Sequence, residues 1–351
     1  MTHIVLSAQV PETFANQRLD LVAAQLFPDY SRARLQTWIK EGQLKVNSSA
    51  ARPRDTVYLG DELRVDVVLQ AEREWEAQAM PIDIVFEDEH LIILNKATDV
   101  VVHPAAGHRD GTLLNGLLSH CPSLKEVPRA GIVHRLDKDT TGLLMVAKTL
   151  ESHVQLVEQL RLREVKREYE AVAQGVLTGG GKVDAPLGRH PVNRKRRAVV
   201  EDGQEAVTHY RVLNRYRSHT HIHVQLETGR THQIRAHLSH INIPLVGDPL
   251  YSGRLQMPAG CSPVLAACLR SFKRQALHAR RLSLQHPATG ETMVWEAQLP
   301  QDFKDLLTVL DDDRDSFTNL QHVVFTLIFD ACLIHDSDVG TDPAILVENR
   351  S

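Results

Sequence analysis

The sequence predicts an α+β fold built around a mixed sheet. Beyond Pro81, short segments such as IDIVFEDEHLIILNK recur in which apolar residues alternate with polar ones or form brief apolar runs, a pattern typical of strands. Stretches with helical spacing separate them, near residues 111–120, 150–162, 230–240 and 301–310. Strands and helices do not alternate regularly and no internal repeat is present, so a parallel βαβ sheet is not expected.

Length and composition describe an ordinary folded protein. The chain has 351 residues, of which 42% are hydrophobic and 24% charged, and it is long enough for about two or three domains. No apolar run reaches the roughly 18 residues of a membrane span, and the N-terminus lacks the basic start and apolar block of a secretion signal. The four cysteines show no CxxC spacing. We therefore expect a cytoplasmic protein with reduced thiols and no membrane partner.

Charge is distributed unevenly along the chain. The net charge is −4, but residues 311–351 alone carry nine acidic and two basic residues. The remaining residues, 1–310, therefore have a net charge of +3, and their basic residues are clustered. This distribution is compatible with a nucleic acid partner, which the net charge alone would argue against.

The first predicted domain comprises residues 12–75. Apolar residues at helical spacing indicate one helix around Leu19–Leu26 and a second around Leu35–Ile39, for which Ser31 is a plausible N-cap. Short strands are expected at residues 44–46 and 62–67. The basic residues on these helices could simply form a solvated surface.

Two further segments are predicted after this domain. The polar stretch 70–80 suits a linker, and the second domain extends over residues 76–310. Residues 311–351 have a different, acidic composition, and we expect a loosely ordered tail.

The sequence contains no signature of a cofactor or a metal. It lacks the phosphate-binding loop, the dinucleotide fingerprint and the nucleophile elbow. His232, His237 and His240 lie on one predicted helix, and His237 and His240 could share a face. A zinc site would need a third and a fourth ligand from Cys, Asp or Glu, and no such set lies nearby in the sequence. We therefore predict that the protein works with no cofactor and no metal.

Residues 131–148, GIVHRLDKDTTGLLMVAK, concentrate charge between two apolar runs. Arg135 and Lys138 flank Asp137, and nearby cations keep a carboxylate ionised. Such a carboxylate suits nucleophilic attack at a sugar carbon or abstraction of a proton. Asp139 precedes a Thr-Thr-Gly turn and fits a turn or cap role. The spacing alone does not choose between the two aspartates, and a merely solvated loop stays possible.

Three motifs resemble those of the pseudouridine synthases, in the branch that modifies uridines of large-subunit ribosomal RNA, and within it the D type. HRLDKDTTGLLMVAK resembles the catalytic motif, VKREYEAVAQG the second and LETGRTHQIRAHLSHINIPLVGDPLY the third. The likeness covers about residues 12–310. It implies an α+β fold with a mixed, largely antiparallel sheet and an isomerisation of uridine that needs no cofactor.

The resemblance also implies roles for single residues. The catalytic aspartate would be Asp137, with Tyr169 against the target base and Arg235 as the basic partner of the carboxylate. Supporting positions are His134, Arg135, Ile234 and Arg230. Whether the aspartate adds to the ribose, adds to the base or removes a ribose proton stays open.

RNA contacts are expected in two places. RLD, SRARLQTWIKEGQLKVN and VYLGDEL resemble the small RNA-binding domain of ribosomal protein S-four, in which helices present cations to phosphates; here these are Arg32, Arg34 and Lys40. The densest basic cluster would grip an RNA stem and contains Arg189, Arg194, Lys195, Arg196 and Arg197. The implied partner is large-subunit ribosomal RNA or a pre-ribosomal particle, bound by a monomer.

Two departures from the family pattern concern turns. Lys96-Ala97-Thr98-Asp99 stands where Lys-Pro-Ala-Gly is usual, and Val46-Asn47-Ser48 stands where Val-Asn-Gly is usual. Loss of Pro and Gly changes the backbone preferences of both turns. Two other functions stay open: a non-catalytic RNA-binding assembly factor, which should lack Asp137 or Arg235, and a nucleoside hydrolase, which would release free uracil.

Overall fold

The chain divides into two compact units, with the division between Trp75 and Glu76. The structure, a computed structural model, describes residues 2–28, 30, 32–69, 75–104 and 110–316. Ser31, the predicted N-cap, and residues 317–351 of the predicted tail lie outside the described residues. In the described part of the chain no helix is both long and apolar enough to cross a bilayer.

The first unit combines two helices with short strands. Its strands are β1 (Thr2–Gln9), β2 (Gln17–Arg18), β3 (Leu44–Val46), β4 (Ser49–Ala50), β5 (Thr56–Val57) and β6 (Glu62–Leu69), and its helices are α1 (Leu19–Leu26) and α2 (Arg32–Lys40). A four-stranded sheet has the order β1-β6-β3-β4, and β2 pairs with β5. The predicted helices and strands are confirmed. Strand β1 lies before residue 12, where the first domain was expected to begin, and pairs along its whole length with β6.

The apolar residues that predicted α1 and α2 form the core of this unit. Leu19 and Val22 of α1 and Leu35 and Ile39 of α2 are buried against Leu63. Helical spacing places these side chains on one face of each helix, which then covers the sheet. The turn between β3 and β4 forms with Ser48 in place of the usual glycine, and both central residues have positive φ (Asn47 49°, Ser48 67°).

The second unit holds the remaining elements. Its strands are β7 (Ile84–Glu87), β8 (Leu91–Lys96), β9 (Thr141–Ala147), β10 (Lys166–Gln174), β11 (Gly181–Asp184), β12 (Leu187–Arg189), β13 (Arg197–Val199), β14 (Val207–Arg215), β15 (His219–Leu226), β16 (Leu277–Gln285) and β17 (Thr292–Glu296). Its helices are α3 (Leu113–His120), α4 (Leu150–Arg161), α5 (Gln233–His240) and α6 (Pro263–Ser271), and residues 301–316 form a further helix, α7. The prediction omitted α6, which Ser262 caps by accepting a hydrogen bond from the Leu265 N–H at 3.1 Å.

The main sheet is mixed and largely antiparallel, as predicted. Its order is β11-β14-β15-β10-β16-β9-β8-β7, and β17 pairs with β16. Among the described strands, β16 and β9 form the one parallel pair, which aligns Ala279 with Gly142. Gly142 has φ 111°, and a Cβ there would lie 2.3 Å from the Ala279 carbonyl oxygen. Only glycine therefore lets β9 approach β16, directly after the charged loop.

Helices cover the two faces of this sheet. On one face, Leu114 of α3 and Leu238 of α5 join a buried cluster with Ile92, Leu144 and Ile222 from the strands. On the other face α4 and, separately, α6 with α7 cover two smaller clusters. The first cluster also contains Leu136, Tyr169 and Ile234, so three predicted motifs meet on the face covered by α3 and α5.

The folded core extends beyond residue 310, where the tail was expected to begin. Asp313 is buried on α7, accepts a hydrogen bond from the Ser262 N–H at 3.1 Å and lies 3.5 Å from the Arg217 Nε. The prediction was wrong for residues 311–316 because it read their acidic composition as a solvated tail, although Asp313 has partners from distant parts of the chain.

Candidate active site

The charged loop brings the side chain of Asp137 into hydrogen-bond contact with Arg235, a cation from another element. The Asp137 Oδ2 accepts a hydrogen bond from the Arg235 Nη1 at 2.8 Å, and the Asp137 side chain is 15% exposed. The loop turns at this point, since the Thr140 N–H donates to the Asp137 carbonyl oxygen at 3.1 Å. Asp139 takes part through its main chain, whose carbonyl oxygen accepts a hydrogen bond from Arg274 at 3.4 Å.

Arg235, in the first turn of α5, bridges two carboxylates. Its Nε and Nη2 donate to the Asp248 Oδ2 and Oδ1 at 2.6 and 2.9 Å, and Asp248 is fully buried. Asp248 Oδ1 also accepts the N–H groups of Leu250 and Tyr251. Burial would lower the pKa of Arg235, but Asp248 and Asp137 raise it above its ordinary value. The bidentate pair with Asp248 therefore fixes the guanidinium with Nη1 directed at Asp137.

Asp248 was missed by the sequence analysis. Its signal is the segment VGDP, in which Gly247 has φ 71° and a Cβ would lie 2.2 Å from the Arg274 carbonyl oxygen. A glycine required by close backbone approach next to an aspartate indicates a constrained turn, but the partner of the aspartate is not visible in the sequence.

Tyr169 lies on β10 and is 5% exposed. It shares a buried cluster with Leu136 and Ile234, so the structure brings the predicted aromatic and apolar walls together. Burial raises the pKa of Tyr169, and the charge of Asp137 acts in the same direction against that of Arg167. The phenol therefore stays protonated at neutral pH.

Arg167, two residues before Tyr169, is a second buried cation that the sequence analysis missed. Its Nη2 lies 3.3 Å from the Glu227 carbonyl oxygen, and its Nε has no hydrogen-bond partner among the described residues. Gly229 leaves room for it, since a Cβ there would lie 2.4 Å from the Arg167 Nη1. Burial lowers the pKa of Arg167.

His134 braces the charged loop. Its Nε2 accepts a hydrogen bond from the Met145 N–H of β9 at 3.0 Å, so the ring is neutral and carries its proton on Nδ1. Burial lowers the pKa of His134 to about 3. The residue therefore cannot serve as a proton donor at neutral pH through Nε2. The neighbouring Arg135 is exposed.

Lys96 holds the other side of the loop. Its buried Nζ donates to the carbonyl oxygens of Ala97, Val100 and Lys138 at 2.8, 3.0 and 2.7 Å. Burial lowers the pKa of Lys96 to about 8, against the charges of Asp139 and Asp137. In the altered loop, Asp99 adopts φ 64° and pairs with Lys138 at 2.7 Å, so the left-handed conformation is kept without glycine.

Two of the three histidines considered as metal ligands, His232 and His237, have other partners. His232 has φ 57°, and its Nε2 lies 3.8 Å from the Asp137 Oδ1. The ring nitrogens of His237 lie 2.9 Å from the Thr208 hydroxyl and 2.9 Å from the Ala185 carbonyl oxygen. Arg230, a predicted supporting residue, donates to the Glu205 carbonyl oxygen at 3.1 Å; no contact joins it to Asp137 in the described residues.

Comparisons with known proteins match both units of the chain. The model of the RNA pseudouridylate synthase family matches residues 90–240, and that of the S4 domain matches residues 17–63. Ribosomal large subunit pseudouridine synthase D of Pseudomonas aeruginosa is 58% identical over 311 residues, covering 89% of this chain and 97% of that protein. The chain belongs to the RNA pseudouridine synthase family. It is an isomerase with an RNA-binding S4 domain.

Two further comparisons place the chain within this family. Ribosomal large subunit pseudouridine synthase D of Escherichia coli (strain K12) is 50% identical over 311 residues, covering 88% of this chain and 95% of that protein. The solved structure of Human RNA Pseudouridylate Synthase Domain Containing 4 covers 65% of this chain and 93% of its own, with 28% identity and a TM-score of 0.51.

In this synthase the basic cluster lies on a hairpin formed by β12 and β13. In this hairpin Leu187 is aligned with Val199 and Arg189 with Arg197, and Arg194, Lys195 and Arg196 lie in the connecting segment. Arg189, Arg194 and Lys195 are exposed, and Arg196 and Arg197 are half-buried. We refer to residues 187–199 as the basic hairpin.

The S4 domain of the synthase has a basic cavity of about 560 Å³, lined by Arg18, Gln36, Lys40, Arg52, Pro53, Arg54 and Asp55. Of the cations predicted here, Lys40 lines this cavity, whereas Arg34 lies 6.0 Å over the Trp38 ring and Arg32 pairs with Asp20 at 2.6 Å. Arg18 is the Arg of the quoted RLD segment. The sequence analysis missed Arg52 and Arg54, because they follow the resembling helices by more than ten positions and meet them only in the fold.

Proposed function

We propose that the synthase isomerises uridine to pseudouridine in large-subunit ribosomal RNA, with Asp137 as the catalytic carboxylate. The relatives that are named for this activity support the RNA class. The observation that carries the residue assignment is the 2.8 Å pair between Asp137 and Arg235, whose sequence neighbours Leu136 and Ile234 share a buried cluster with Tyr169.

The pair suits a reaction at a sugar carbon. Arg235 engages Oδ2, while Oδ1 has the His232 ring at 3.8 Å. The carboxylate therefore retains an oxygen that can face the substrate. Attack on the ribose, attack on the base and removal of a ribose proton all need this arrangement.

The isomerisation balances without a cofactor. The bond between C1′ of the ribose and N1 of the base breaks, and a bond between C1′ and C5 forms. The proton on C5 leaves and N1 gains one, so nothing is oxidised. A flipped uridine needs a flat apolar wall with a polar tip, which Tyr169 supplies, and Ile234 provides the second apolar contact.

RNA binding would use two cationic surfaces. Exposed cations of the basic hairpin and the cavity of the S4 domain present guanidinium and ammonium groups suited to phosphates. We propose ribosomal RNA or a pre-ribosomal particle as the partner, bound by a monomer in the cytoplasm.

The test of the catalytic assignment is Asp137→Asn, with Asp139→Asn as the matched control. The substrate is large-subunit ribosomal RNA labelled with tritium at C5 of uridine, and release of tritium to water is measured beside RNA binding. Asp137→Asn keeps the size of the side chain and removes the charge, so activity should fall at least about a thousandfold while binding persists. Asp139→Asn should stay within about tenfold of the wild type, since the Asp139 carbonyl oxygen that accepts from Arg274 is retained.

Other outcomes would point elsewhere. Activity in Asp137→Asn together with its loss in Asp139→Asn would make Asp139 the catalytic carboxylate. Free uracil detected by chromatography would indicate a hydrolase. RNA binding by the wild type without tritium release would indicate an assembly factor.

A further inference from the structure

Tyr251 lies between the basic hairpin and the catalytic pair. It is 5% exposed, and its ring has the Arg235 guanidinium at 5.1 Å on the catalytic side. Its hydroxyl lies 3.1 Å from the Nδ1 of His232, whose Nε2 lies near Asp137. The tyrosine therefore touches both side chains that face Asp137 from α5 and its N-cap.

The same side chain holds the basic hairpin. Its hydroxyl accepts the Arg197 N–H at 2.7 Å and lies 3.2 Å from the Arg197 carbonyl oxygen. The Arg196 guanidinium lies 4.8 Å from the ring centroid. The Nε of Arg196 is buried without a hydrogen-bond partner in the described part of the chain, so the stacking on Tyr251 is the contact that orients this guanidinium.

We propose that Tyr251 is a positioning residue that couples the basic hairpin to the Arg235–Asp137 pair. The inference rests on the proposed function. When phosphates engage the hairpin, the ring and hydroxyl of Tyr251 set the placement of Arg235 and His232 relative to the hairpin. The carboxylate of Asp137 then faces the uridine of the RNA stem that the hairpin binds.

A purely structural role makes a different prediction. A core tyrosine that only fills space would be replaced by phenylalanine without loss of turnover, because the ring and both guanidinium contacts remain. The coupling role requires the hydroxyl as well, since it forms the hydrogen bonds to the hairpin main chain and to His232.

The experiment compares Tyr251→Phe, Tyr251→Leu, Arg196→Gln and the double variant Tyr251→Leu/Arg196→Gln. Tyr216→Phe is the control, since Tyr216 is equally buried, 5% exposed, and packs in a separate cluster with Phe303 and Leu306. The single-turnover rate constant is measured at saturating ribosomal RNA, and the dissociation constant and melting temperature are measured beside it.

We expect Tyr251→Phe to lower the rate constant by about tenfold and Tyr251→Leu by about a hundredfold, because small displacements of a catalytic group are costly. The dissociation constant of Tyr251→Phe should stay within about threefold and its melting temperature close to that of Tyr216→Phe. Arg196→Gln alone should lower the rate constant. Added to Tyr251→Leu in the double variant, it should lower the rate constant no further, because the effects of coupled residues are not additive.

A wild-type rate constant in Tyr251→Phe, or additive effects of the Leu and Gln changes, would overturn the coupling. If Tyr251→Leu does not fold, Tyr251→Phe and Arg196→Gln still decide between the two roles. Asp137→Asn distinguishes failure of the coupling from failure of the proposed function. If Asp137→Asn is inactive and Tyr251→Phe is fully active, the coupling is wrong and the proposed function stands. If Asp137→Asn is active, the proposed function is wrong.

Discussion

Arginines lie in opposite environments in the candidate active site and in the basic hairpin. Arg235 is buried, and its guanidinium is divided between Asp248 and Asp137. Arg189 and Arg194 are exposed on the hairpin. The buried cation is fixed by two carboxylates, while the exposed cations remain available for phosphates.

This difference shows that pairing, more than charge, decides what an arginine does here. A buried guanidinium with a bidentate partner has one orientation and can position a neighbouring carboxylate. An exposed one gains little from any single ion pair in water and contributes through the electrostatic attraction of RNA. Arg32 is intermediate, because it pairs with the buried Asp20 yet remains partly exposed itself.

Substitutions in the buried ion pairs of Arg235 with Asp248 and Asp137 should have the largest effect on the rate constant. Asp248→Asn removes the charge that fixes Arg235, so the rate constant should fall by at least about a hundredfold, and stability by about 3–5 kcal/mol because a buried charge loses its partner. Arg235→Lys keeps the charge but not the planar fork and should also lose activity. Turnover near that of the wild type in both variants, measured by tritium release, would show that the pair is not needed for positioning.

Reversing exposed hairpin cations should act on binding instead. Arg194→Glu/Lys195→Glu should weaken RNA binding and flatten its salt dependence, by about one unit of slope for each phosphate that is no longer neutralised. The rate constant at saturating RNA should change little, since neither residue touches Tyr251 in the described structure. Arg161→Glu, at an exposed arginine of α4, is the matched control. An unchanged salt slope in filter binding would place the RNA elsewhere.

The interactions of the buried Asp20 with the partly exposed Arg32 should make the stability of the S4 domain depend on acidic pH. Burial would raise the pKa of Asp20, but hydrogen bonds from Arg32, Arg18 and Gln36 lower it to about 2. A depressed pKa gives stability that is present above the ordinary value of 3.8 and is lost as pH falls through about 2.

In Asp20→Asn, the S4 domain should therefore lose about 2 kcal/mol at neutral pH, and this difference from the wild type should shrink between about pH 4 and 2. Denaturant unfolding followed by the fluorescence of Trp38, which is buried in this domain, measures it. A difference that does not depend on pH would mean that the loss comes from packing alone.

The smallest effect is expected at Arg230. It belongs to the third family motif, but its Nε donates to the Glu205 carbonyl oxygen and not to Asp137. Arg230→Gln should change the rate constant by less than about threefold. A loss comparable to that of Arg235→Lys would show that the two arginines act together and would contradict the division drawn between buried and exposed cations.

Much of the fold followed from local patterns. Helical spacing at Leu19 and Leu35 and the apolar runs of β8 and β9 predicted elements that the structure contains. Burial of one face of a helix leaves a helical period in the sequence, and burial of both faces of a strand leaves a continuous apolar run. The motif around Asp137 and the resemblance of two further motifs were sufficient to nominate the carboxylate, its arginine and the tyrosine. Helix α6 was missed although Ser262 followed by Pro263 is a helix-start signal. The order of residues 311–316 was missed because the partners of Asp313 lie far away in the sequence.

The sequence by itself thus determined many of the elements, the family and a short set of candidate residues. Only the tertiary structure decided which aspartate meets Arg235, and it added Asp248, Tyr251 and Arg167 to the site. These contacts join residues that are far apart along the chain, from Asp137 to Arg235 and from Arg197 to Tyr251. A hydrogen bond depends on positions within a few tenths of an ångström, and those positions are set by the packing of strands and helices that no local pattern encodes.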